Sequence, residues 1–159
     1  MFMDMNGEER INAPIEAVWR ALNDPQVLRA CIPGCESLDK TSDTQMTARV
    51  VLRIGPIKAG FDGMVELSEL NPPNSYVISG EGKGGIAGFA KGQANVSLTE
   101  EEPEVTLLTY VVSAEVGGKI AQLGSRLIDS TARKLAAQFF SNFGEHLTKT
   151  IQEPHLASA

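Results

Sequence analysis

Residues 44–67 read TQMTARVVLRIGPIKAGFDGMVEL, and within them apolar side chains recur at every second position. Met46, Ala48, Val50, Leu52 and Ile54 fall on one side of an extended chain, and Gln45, Thr47, Arg49, Val51 and Arg53 on the other. Successive side chains of a strand point to opposite faces, so a period of two predicts a half-buried strand. After Gly55-Pro56 the alternation resumes with Ile57, Ala59, Phe61, Gly63, Val65 and Leu67, until Asn71-Pro72-Pro73-Asn74 breaks it. A connection this short cannot carry a parallel crossover, so the two strands are antiparallel.

Working outward, further strands are expected at 75–82, 88–100 and 104–116, joined by turn-rich segments. In the last of them Thr106, Leu108, Tyr110, Val112, Ala114 and Val116 share a face. Upstream, residues 1–11 alternate weakly and lead to Asn12-Ala13-Pro14, where proline suits the first turn of a helix running to about Leu22. Asp24-Pro25 opens a second short helix, with Val27, Leu28 and Cys31 on its apolar side, and Ile32-Pro33-Gly34 stops it. From about Lys119 to Gln152 there is no proline and the spacing turns helical, giving one helix of roughly 50 Å at 1.5 Å per residue. Its apolar ladder, 123, 127, 131, 135, 139, 143 and 147, advances by four and so rotates about 40° per step. One flat surface cannot hold it: either the helix bends, or Phe140 and Phe143 meet a second surface. The expected class is α+β, a curved antiparallel sheet with a long C-terminal helix, in one domain over 1–153 followed by a short tail at 154–159.

With 159 residues the chain is long enough for one well-buried core. Fourteen basic against 20 acidic residues leave a net charge of −6, and no Lys/Arg run offers the footprint that phosphate backbones require, so no nucleic-acid partner is expected. The N-terminus, MFMDMNGEER, lacks an apolar stretch of signal-peptide length, so a cytoplasmic protein is expected. No apolar run approaches the ~20 residues of a membrane span. Cys31 and Cys35 have a spacing that fits neither a redox C-x-x-C nor a zinc knuckle, and are expected as reduced thiols.

Candidate chemistry is sparse. Gly80-Glu81-Gly82-Lys83-Gly84-Gly85 matches G-x-G-x-x-G in letters, yet strand-like residues follow it where a dinucleotide fingerprint needs a helix. The histidines, His146 and His155, lie far from the cysteines in sequence, and no metal or nucleophilic cluster is expected. What stands out is the inward set itself, in which Ala48, Ala59, Gly63, Gly80, Gly92, Ala94 and Ala114 are small. Small residues on a concave face leave room for a cavity, or glycines serve only to let the sheet curve. Composition leaves both open.

Five stretches together resemble the carbon monoxide dehydrogenase G-subunit family: NAPIEAVWRALNDP (12–25), CIPGCESL (31–38), GPIKA (55–59), GEGKG (80–84) and VGGKIAQLGSRLI (116–128). The first is shared across the wider START/polyketide-cyclase superfamily; the second, fourth and fifth are more specific. The resemblance implies a helix-grip fold: a curved seven-stranded antiparallel sheet wrapped around a long C-terminal helix, with two short helices after the first strand. It also implies a non-enzymatic accessory role beside a molybdenum hydroxylase, with no cofactor of its own, linking that enzyme to the inner face of the cytoplasmic membrane. The lipophilic ligand expected is a quinone or lipid in an internal cavity, with Phe61, Ile78, Phe89, Tyr110, Val112, Ala114, Ile120, Leu123 and Leu127 as the binding residues. Tyr110 is the residue expected to meet a quinone carbonyl; a core tyrosine bonded to backbone is the plain alternative. Lys83 near the mouth is a docking candidate, and Ile86 and Phe89 are candidates for transient membrane contact. The rival readings are a polyketide-cyclase-like enzyme and a recruitment factor with an incidental pocket.

Overall fold

The alternation at 44–67 folds as a β-hairpin in the computed structural model, which describes the backbone of residues 1–157 and the side-chain surroundings of 1–149. In chain order the elements are β1 (Phe2–Ile11), α1 (Ile15–Leu22), α2 (Pro25–Cys31), β2 (Cys35–Lys40), β3 (Gln45–Ile54), β4 (Ile57–Asn71), β5 (Ser75–Lys83), β6 (Phe89–Glu102), β7 (Val105–Gly117) and α3 (Ser125–Ala157). Short 3-10 turns occupy Gly85–Ala87 and Lys119–Leu123. The sheet is seven-stranded in the order β1-β7-β6-β5-β4-β3-β2, antiparallel throughout. This is the helix-grip arrangement that the resemblance implies.

Two elements differ from the periodicity reading. β2 has no clean alternation because a bulge between Cys35 and Ser37 shifts its register, so this short edge strand is invisible to a period-two search. The long helix does not start at Lys119: Gly124, at φ 94°, breaks the chain after the 3-10 turn, and α3 begins at Ser125. It then runs to Ala157, beyond Gln152 and into the segment expected as a tail; residues 158 and 159 lie outside the described residues.

Local chemistry explains the short helices. Asp24 caps α2, its carboxylate accepting from the Gln26 amide at 2.9 Å, and Pro25 takes the first turn, where no amide partner is lost. Gly34 follows at φ 75°, and a side chain there would strike the Val51 carbonyl; its own carbonyl accepts from the Val51 amide at 2.9 Å. The fully buried Thr106 of β7 donates to the Ala13 carbonyl at 2.7 Å and ties the sheet to the turn before α1.

The core has two parts. One joins α1, α2, the sheet and the C-terminal half of α3 around Val18, Cys31, Leu108 and Phe143. The other gathers Ile54, Phe61, Val116, Ile120 and Ile128 near the start of α3. The rotating ladder of α3 is thereby resolved: Phe143 and Leu147 enter the cluster with α1 and α2, and Asn142 Nδ2 donates to the Cys31 carbonyl at 3.0 Å. The two short helices are the second surface for Phe143, whereas Phe140 stays on the sheet, against Tyr110 of β7.

Candidate functional site: an apolar cavity

On the inward side of the sheet lies a cavity of ≈ 510 Å³, within the ~300–1,000 Å³ range of small-molecule sites. Met46, Ala48, Val50, Leu52 and Ile54 of β3 form one wall, and Phe61, Gly63, Val65 and Leu67 of β4 continue it. Tyr76, Ile78 and Gly82 of β5, Ala90 and Val96 of β6, and Leu108 and Tyr110 of β7 extend the lining. Leu22, Leu28 and Ile32 bound it from the side of α1 and α2, and Phe139 and Phe140 from α3. The alternation that starts at Met46 places these side chains inward, and the small residues Ala48, Gly63, Gly82 and Ala90 leave the space unfilled. Of the small inward residues named from the sequence, Ala48 and Gly63 line the cavity, and Ala59, Gly80, Gly92, Ala94 and Ala114 do not.

Four of the residues singled out from sequence come together on the lining: Phe61, Ile78, Tyr110 and Ile120. Val112 and Ala114 share the inward parity but lie outside it, paired with Met5 and Met3 of the edge strand β1. Leu123 packs into the second core cluster. Leu127 closes over the β3–β4 turn; a Cβ on Gly55 would stand 2.6 Å from its Cδ2. Phe89, expected on the lining, lies on the other face of β6. Its neighbour Ala90 pairs with buried Val116 and faces inward, so Phe89 has the opposite parity, and its ring lies over Gly117. The signal is present in the sequence, since Phe89 is out of step with Gly92 and Ala94 of the inward set.

Tyr76, Phe139, Phe140 and the residues from α1 and α2 escape the sequence reading. Tyr76 shares the parity of Ile78 and Gly80, which is the available clue. It is 3% exposed, its ring meets Trp19 edge to face at 5.2 Å, and burial pushes its pKa far above the usual tyrosine range. Tyr110 stacks on Phe140 at 5.5 Å with planes 19° apart. Its pKa is also raised, first by burial and then by the Glu9 carboxylate, while Arg133 opposes the shift. Arg133 is held by Asp129 at 2.9 Å.

Glu81 is the charged residue on the lining, and its carboxylate turns to the outer face, 3.8 Å from Lys83. Both cysteines are free, and burial raises both thiols, against Arg29 in the case of Cys35, so neither is an activated nucleophile. Among the described residues no group of three or more His, Cys, Asp or Glu side chains is placed to hold a metal. Nor is any helix among them long and apolar enough to cross a membrane. Such a lining binds by releasing water from apolar surface and by close contact, with few polar groups to orient what enters.

A family model for CoxG, the G subunit of carbon monoxide dehydrogenase, matches residues 7–148. A conserved protein from Geobacillus kaustophilus is 34% identical, with a TM-score of 0.88 over 93% of this chain and 97% of that one. A START superfamily protein from Mycobacterium smegmatis, 13% identical, aligns with a TM-score of 0.71 over 92% of this chain and 98% of that one. The ZhuI aromatase/cyclase from Streptomyces sp. R1128, 11% identical, aligns at 0.69 over 95% and 96%. At such identities the last two are similar in fold alone. A search of curated protein sequences gave no match.

Proposed function

The chain belongs to the carbon monoxide dehydrogenase G-subunit (CoxG) family, and from that premise we propose that it is a non-enzymatic carrier of a lipophilic molecule, a quinone, between a molybdenum hydroxylase and the cytoplasmic membrane. The observation that carries this reading is the cavity of ≈ 510 Å³ lined almost wholly by aliphatic and aromatic side chains. An isoprenoid chain leaves lipid for such a lining at little cost, because apolar contacts replace apolar contacts. The exposed Ile86 at the tip of the β5–β6 connection supports a weak, reversible membrane contact. The hydroxylase as partner and the cytoplasmic side of the membrane come with the family premise.

The test is extraction of the purified protein with organic solvent and mass analysis of the extract. A quinone at a substantial fraction of the protein concentration is the expected result. Protein recovered from a quinone-containing host with an empty cavity, and unable to take up added quinone, overturns it. Turnover of an aromatic polyketide would instead favour a cyclase.

A further inference from the structure

Polar groups on the cavity lining are few, and two of the three point elsewhere. Glu81 pairs with Lys83 on the outer face, and the Tyr110 hydroxyl lies over Gly7 of β1. Tyr76 is the third. Its ring is fixed by Trp19 and by its cross-strand neighbour Val96, and it is nearly without solvent exposure. Among the described residues its hydroxyl has no hydrogen-bond partner. Yet no side-chain oxygen or nitrogen that is sealed from all accessible space lacks a partner. The Tyr76 oxygen therefore keeps some accessible surface, and Tyr76 is one of the residues that line the cavity.

Buried polar groups are almost always satisfied, and one left open on an apolar lumen calls for a partner that arrives with the ligand. Burial also keeps the phenol protonated, so it has a hydrogen to donate. We propose that Tyr76 is the specificity-determining donor of this cavity, giving its hydroxyl hydrogen bond to a carbonyl oxygen of the bound molecule. This rests on the lipophilic-carrier reading and deepens it: the ligand is a carbonyl-bearing ring on an apolar chain, and the ring sits beside α1, next to Trp19. Trp19 is the chain's single tryptophan, so a quinone held there quenches its fluorescence.

The experiment compares two probes of equal chain, 2-dodecyl-1,4-benzoquinone and dodecylbenzene, by equilibrium dialysis against the full chain and its Tyr76→Phe and Tyr110→Phe variants. Tyr76→Phe keeps the ring, and hence the contact with Trp19. Its expected effect is a loss of about 3- to 10-fold in quinone affinity, the worth of one net hydrogen bond, with dodecylbenzene unchanged. Tyr110→Phe, whose hydroxyl lies over Gly7, is expected to cost the quinone less than Tyr76→Phe does. An unaltered ratio in Tyr76→Phe, or a selective quinone loss in Tyr110→Phe that is as large or larger, overturns the assignment while leaving the carrier reading intact. Wild-type protein that takes up neither probe overturns the carrier reading, and this assignment with it.

Discussion

Gly7 of β1 and Tyr110 of β7 face each other across the strand pair, and the phenol of Tyr110 lies over the bare Cα of Gly7. A Cβ at position 7 would collide with the Tyr110 hydroxyl and stand 2.6 Å from Cζ. The same ring stacks on Phe140 of α3. One aromatic plate thus links the edge strand to the long helix, and it is the absence of a side chain on β1 that lets it lie flat.

Gly7→Ala should therefore destabilise the fold by about 1–3 kcal/mol, as overpacking does. Tyr110→Leu in the same chain should remove most of the added cost, because the clash is with the phenol. Urea unfolding of both single variants and the double variant measures the coupling. Additive effects would refute the contact.

Filling the cavity should abolish ligand uptake without unfolding the protein. Ala48 of β3 points into it between Leu38 and Gly63, so Ala48→Phe places a ring in the lumen. Retention of 2-dodecyl-1,4-benzoquinone should fall at least ~10-fold, with a stability loss within the ~1–3 kcal/mol of overpacking. Full retention in the folded variant would show that the ligand sits elsewhere.

How far this site is legible in the sequence depends on the local rule each residue obeys. The face of Met46 to Leu67 follows from a period of two, and Phe61 and Ile78 come with it. Phe139 and Phe140 cannot be placed from the ladder alone, because which side of α3 meets the sheet depends on α1 and α2 claiming Phe143. Val112 and Ala114 obey the alternation correctly and still miss the lumen, since a strand's parity fixes the face and not where along that face the cavity lies. β2 and the break at Gly124 lie where a bulge and a single glycine override the pattern.

The buried phenol of Tyr76 predicts an alkaline limit. Its folded pKa is raised, so the unfolded chain releases this proton first, from about pH 10 upward, while the folded chain keeps it. The stability that this group contributes is complete below the unfolded value and declines above it, by up to ~1.4 kcal/mol per pH unit. Unfolding free energies measured from pH 8 to 11 should fall more steeply for the wild type than for Tyr76→Phe. Parallel curves would mean that the hydroxyl is solvated.

Gly144 sits within α3, and nothing lies within 4 Å of a Cβ built there. Alanine is the better helix former by about 1 kcal/mol and meets no clash, so Gly144→Ala should stabilise the protein by roughly that amount. A destabilised variant in thermal or urea unfolding would mean that the position packs against something in solution.

Membrane contact, the least direct consequence of the proposed function, should depend on Ile86 and not on Phe89. Ile86 is 87% exposed in the 3-10 turn between β5 and β6, whereas the Phe89 ring is spent against Gly117. Burying one isoleucine side chain yields at most ~1.5–3 kcal/mol, which corresponds to about 10- to 100-fold in partitioning and suits a carrier that must leave the bilayer again. The net charge of −6 opposes binding to anionic surfaces, so neutral phosphatidylcholine vesicles should be favoured over phosphatidylglycerol vesicles at low salt. In liposome flotation Ile86→Ser should lose most of the floated fraction. Phe89→Ser should act mainly on stability, since it removes the ring that packs on β7. Tight flotation of the wild type on either lipid, unchanged by Ile86→Ser, would rule out contact through this turn.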